Sequence, residues 1–175
     1  MSFQDTLLSW HDFYLACAAA SATFAGLLFV GISLHLRIIV THPEARSLAR
    51  VTLSDYFVVL LVSLVLLTPA GVPQQLGIEM IGIAAVSLAL ITPTSVRGIR
   101  ARRARTLGLR LLISRFGLSM LGYIALGILG LLFYLGSTPA LFAQLVWIVL
   151  VLLIVAVRNT WDLLVTIADK SSSGH

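Results

Sequence analysis

Charge is the scarcest commodity in this chain. Only 11% of its 175 residues are charged while 59% are hydrophobic, and mean hydropathy is +1.02. Soluble domains carry about 25% charged residues, and a compact domain of this length leaves roughly 30% of its unfolded surface in water. A water-soluble fold cannot hide this much apolar surface, whereas a bilayer removes the need to hide it. The lone cysteine, Cys17, excludes an internal disulfide. It lies in an apolar run, where a free thiol serves as a small packing residue. Basic residues are missing from the start of the chain, which holds Asp5 and Asp12. A secretory signal has a basic start, then an apolar core, then a small-residue site. Here the small residues from Leu15 to Ala22 precede the long apolar run. The N-terminus is therefore expected to be mature sequence, and Leu15-Ala16-Cys17 is not expected to act as a lipobox.

Catalytic and ligand motifs are missing as well. There is no His-Glu-x-x-His, no Gly-x-Ser-x-Gly and no Gly-x-x-x-x-Gly-Lys-Ser/Thr. Haem ligation across a helical core needs histidines facing each other within the spans, and zinc needs three or four converging ligands. His11 and His35 fall at opposite ends of the first apolar run, with His42 beyond the latter. His11, Asp12 and Glu79 come from separate elements. No metal, cofactor or catalytic centre is expected, so an enzyme is the least supported class.

What is present is five apolar runs of spanning length, which requires about 20 residues. They cover roughly 13–36, 53–72, 77–96, 111–135 and 141–167. They are too long and too continuous for lipid-facing barrel strands, which alternate over about 10 residues. The expected fold is all-α: one polytopic domain over residues 1–170, with a disordered tail at 171–175. Arg37, Arg46 and Arg50 belong to the first connection. Arg97, Arg100, Arg102, Arg103, Arg105 and Arg110 belong to the third, with Arg115 just inside the fourth run, and Arg158 and Lys170 end the fifth. All 12 basic residues thus fall on one side of a five-helix topology. Basic segments are retained in the cytoplasm, so the N-terminus is expected outside, the C-terminus inside, and the protein in a bacterial inner membrane. The two opposite connections contain Thr68-Pro69-Ala70 and Thr138-Pro139-Ala140, a recurrence that suits either tight turns or an old duplication.

A few residues stand out. Ala18, Ala22 and Gly26 recur every four residues in the first helix, and small residues let helices approach closely in lipid. They suit either a central helix of the monomer, the expected arrangement, or an oligomer contact. Gly117, Gly122, Gly127 and Gly130 in the fourth helix drift around it and point to close packing on several sides. Asp55 and Glu79 fall at expected helix starts, where the helix dipole favours a carboxylate; a deeper Glu79 would be a candidate outer ion site. Arg97, Arg100, Arg102, Arg103 and Arg105 form an acid-free loop. It is expected to anchor topology, and it would also attract anionic lipid. Asp55 or Asp162 is expected to pair with Arg115 or Arg158 in a charge layer near the same face.

The segment WHDFYLACAAASATFAGLLFVGISLHLRI, residues 10 to 38, resembles a family of small uncharacterised bacterial membrane proteins. Their first helix has an aromatic entry, a small-residue run, then Gly-Leu-x-Phe-Val followed by Ser. Some are labelled modulators of the FtsH protease. The resemblance implies five helices and a larger membrane protein as partner. Two functions compete: a homo-oligomer lining a small ion or solute path, and an accessory subunit docked to a protease or transporter.

Overall fold

The computed structural model describes residues 3–68, 72–102, 106–136 and 139–172, leaving aside the side chains of 38, 43, 44, 93–116, 139 and 169–172. The described residues are helical almost throughout: α1 (Phe3–Ser9), α2 (His11–Leu34), α3 (Leu36–Thr41), α4 (Pro43–Leu67), α5 (Pro73–Arg102), α6 (Thr106–Leu135) and α7 (Pro139–Ser172). Five of them are long and apolar enough to cross a membrane, so the chain has the make-up of a multi-pass membrane protein. Proline opens three of the five, at Pro43, Pro73 and Pro139. A first-turn proline gives up no helical hydrogen bond, and its fixed φ suits the first turn. Expected turn prolines are thus also helix starters.

The helices outrun the expected spans at one end of the bundle. α5 reaches Arg102 and α6 begins at Thr106, so the expected basic loop is mostly helix. At 1.5 Å per residue, each of these 30-residue helices is about 45 Å long, against a hydrocarbon thickness of about 30 Å. α4 also starts ten residues before the expected Leu53, because Pro43 opens a helix that the polar stretch through Arg50 continues. α7 runs on through Ser171 and Ser172, the first two residues of the expected tail, and 173–175 lie outside the described residues.

The central helix is α4, which touches α2, α3, α5, α6 and α7. Half of its spanning window is buried, against 22% for α2. The expectation of a central first helix is therefore corrected: α2 lies at the edge of the bundle. Its inward face carries Tyr14, Cys17, Ala18, Ser21 and Leu28. Ala22 and Gly26 are exposed, and nothing lies within 4 Å of a Cβ built at Gly26. The tightest approach joins α5 to α6. A Cβ at Gly77 would lie 2.5 Å from the Gly130 carbonyl oxygen, and one at Gly130 would lie 2.9 Å from that of Gly77. In lipid, where helix association is driven by van der Waals packing, that contact depends on two absent side chains. Gly122 faces Leu152 of α7 and Gly127 faces Ala84 of α5, so the glycines of α6 serve two different neighbours.

Candidate functional site

Asp55 sits midway along α4, twelve residues from Pro43 and twelve from Leu67. That is about 18 Å from either helix end. It has no exposed surface. The expectation that it occupies a first helical turn near water is overturned, because the helix begins well before the apolar run does. A carboxyl group at such a depth requires hydrogen-bond partners, and α6 supplies them. Ser119 Oγ donates to Asp55 Oδ2 at 2.8 Å, and the Tyr123 hydroxyl donates to Asp55 Oδ1 at 2.6 Å. Ser119 and Tyr123 are four residues apart and so share a helix face; both are fully buried. Ser54 Oγ lies 3.3 Å from the Tyr123 hydroxyl.

A second set of polar groups lies at the same level on the other side of α4. Ser21 Oγ of α2 donates to the Tyr56 carbonyl at 2.6 Å. The Tyr56 ring stacks on Phe24, with centroids 5.9 Å apart. Its hydroxyl meets Thr160 Oγ1 of α7 at 3.0 Å. Thr160 also donates to the Ala156 carbonyl at 2.9 Å, which uses its single proton and leaves Tyr56 as the donor between the two. The adjacent Asn159 is 2% exposed, and its Nδ2 makes no hydrogen bond. Four helices thus contribute polar side chains around this level of α4, where Asp55 is the fully buried carboxyl group.

The expected charge layer lies partly outside the described residues. Asp55 is held by hydroxyls. Arg158 is exposed, and the ion pair seen among the described residues, His11 with Asp12 at 3.2 Å, lies elsewhere. Asp162 is half-buried on α7. The side chain of Arg115 lies outside the described residues, as do those of Arg97, Arg100, Arg102 and Arg110 and all of Arg103 and Arg105. Glu79 is in the second turn of α5, half-buried, and accepts from Gln75 Nε2 at 3.1 Å. Ala18 is buried while Ala22 and Gly26 are not. The histidines stay apart: His35 Nδ1 lies 3.2 Å from the Gly31 carbonyl and His42 Nδ1 lies 3.0 Å from Thr41. Among the described residues no three His, Cys, Asp or Glu side chains gather as metal ligands would.

The sequence reading did not find Ser119, Tyr123, Tyr56 or Thr160. Their signal was faint but real: hydroxyl residues in apolar runs, on helices other than the one carrying the acid, with Ser119 and Tyr123 at i, i+4. No family model, curated protein or solved structure matches this chain.

Proposed function

We propose that this protein is a proton-handling component of a bacterial inner membrane, with Asp55 as the group that takes up and releases the proton. One observation supports this above all: a lone carboxyl group at mid-helix, without exposed surface, whose two oxygens are each held by a hydroxyl of a neighbouring helix. Ionisable groups at this depth are costly and mark proton or ion pathways. The hydroxyls suit the role because each can donate to the carboxylate or rotate to accept from the protonated acid. Of the ionisable groups on helices packed against α4, Tyr123 touches Asp55 and Arg158 is exposed. The protein itself carries no covalent chemistry in this reading, and its role is in an ion or solute path.

A homo-oligomer fits the same reading, because α2 turns Ala19, Ala22, Thr23 and Gly26 outward. Small residues on an exposed helix face admit a second helix at close range. The arginines at the ends of α5 and α6 would then bind anionic headgroups, at about 1 kcal/mol each. The alternative is an accessory subunit that offers α2 to a larger protease or transporter. Native mass spectrometry separates these: several copies favour the oligomer, a single copy the accessory role.

The test of the proton reading is flux in liposomes. Purified protein is reconstituted around a trapped pH dye, and an inward proton gradient is applied with potassium and valinomycin to clamp the potential. The wild-type protein is expected to acidify the lumen faster than empty liposomes. Asp55→Asn is nearly isosteric and keeps both hydroxyl contacts satisfiable, and it is expected to remove that flux. Equal rates for wild type and Asp55→Asn would refute the reading, as would a wild type no faster than lipid alone.

A further inference from the structure

Hydroxyl groups inside these helices have a standard partner. Thr23, Ser33, Thr52, Ser87, Thr160 and Thr166 each donate to the carbonyl one turn back. Ser63 of α4 does not, although it is fully buried and its hydroxyl makes no hydrogen bond. Tyr14 of α2 is in the same state: fully buried, in the apolar core, with an unpartnered hydroxyl. A buried hydroxyl without a partner is unfavourable enough that such groups are nearly always satisfied, by protein or by ordered water.

These two residues are related by the register of their helices. The bond from Ser21 to the Tyr56 carbonyl fixes the level at which α2 and α4 meet. α2 packs along α4 and only the six-residue α3 separates them in the chain, so the helices run antiparallel. Tyr14 lies seven residues before Ser21, and Ser63 lies seven residues after Tyr56. Each is therefore about 10 Å from the meeting point, in the same direction. Seven residues is within roughly 20° of two full turns, so Tyr14 shares the face of Ser21, and Ser63 shares that of the Tyr56 ring, which stacks on Phe24 of α2. Two unpartnered hydroxyls thus occupy one level of one helix interface. They stand between Asp55 and the end of the bundle where α2 begins and α4 ends.

We propose that Tyr14 and Ser63 hold a structural water between them at this level of the α2–α4 interface. The site is specific for a small molecule with both donor and acceptor capacity, since each hydroxyl can give one hydrogen bond and accept others. The cluster that holds Tyr14 is apolar apart from the Tyr14 and Tyr123 hydroxyls and the weakly hydrogen-bonding Cys17 thiol.

A double-mutant cycle tests the shared water. Tyr14→Phe, Ser63→Ala and the double variant are compared with wild type by thermal unfolding in detergent. A shared water couples the two positions, since removing either hydroxyl already strands it. The double variant is expected to unfold within experimental error of the less stable single variant. Additive losses of stability would overturn the shared water. A structure that resolves ordered water provides the direct check. Density bridging the two hydroxyls is expected, and a dry interface overturns the proposal.

Discussion

Gly77→Ala tests the contact that brings α5 and α6 together. The new Cβ would lie 2.5 Å from the Gly130 carbonyl oxygen, 2.7 Å from the Tyr134 amide nitrogen and 3.1 Å from the Tyr134 Cα. All three are backbone atoms, so no side chain can rotate to make room. Ordinary contact for a Cβ begins at 3.4 Å, so the two helices must separate by about 0.9 Å at this point, and a gap of that size forfeits roughly a quarter to a half of the local dispersion energy. Overpacking of this kind costs about 1–3 kcal/mol. Gly82→Ala is the matched control on the same helix, since nothing lies within 4 Å of a Cβ there. By helix propensity alone it gains up to about 1 kcal/mol. Gly77→Ala has the same propensity gain on the same helix, so the two alanines are expected to differ by the overpacking cost, about 1–3 kcal/mol. The measurement is thermal unfolding in one mild detergent, followed by far-ultraviolet circular dichroism, with size exclusion confirming monodisperse samples. If Gly77→Ala unfolds at the same temperature as Gly82→Ala, the close approach of α5 and α6 is wrong.

Tyr123→Phe removes one of two donors to Asp55 and is expected to destabilise the fold by about 1–3 kcal/mol, the cost of leaving a buried acceptor without a partner. Thermal unfolding checks this, and no loss would mean that the Tyr123 hydroxyl does not serve Asp55. Reporters active only outside the cytoplasm are expected to be active when fused after Gly71 or Ser137 and silent after Arg103 or Ser171; activity after Arg103 would reverse the orientation argued from the arginines. Replacing Arg102, Arg103 and Arg105 by Lys is expected to leave insertion intact, and replacing them by Glu to disturb it, as scored by the same fusions. Loss of cellular function with the Lys version alone would mean that bidentate arginine recognition, and not charge, is needed there.

The number of spans was legible in the sequence because five uninterrupted apolar runs leave little else to build. Their limits were not. Apolar content does not mark helix ends, which Pro43 and the helical stretches through Arg50 and Arg102 set by hydrogen bonding. That difference moved Asp55 from a presumed first turn to the middle of a helix, and with it changed the meaning of the residue. The polar layer was hidden for a related reason. Ser119 and Tyr123 follow Asp55 at separations of 64 and 68 residues, and no local pattern reports which face of α6 meets α4. The peripheral place of α2 was equally invisible, since small residues suit both a crowded centre and an exposed edge.

The separation between Asp55 and its partners also has a consequence in time. A ribosome adding about 5–20 residues per second needs roughly 3–13 seconds to produce Ser119 after Asp55. Through that interval α4 has to enter the bilayer with an acid at its midpoint and no hydroxyl from α6 to receive it. Insertion scales put the cost of a central aspartate at about 2.5–3.5 kcal/mol. The Val59–Leu67 stretch of valine and leucine, broken only by Ser63, then does more than fill the core. It offsets the acid during synthesis and lets the second helix commit to the membrane before the residues that will stabilise it have been made.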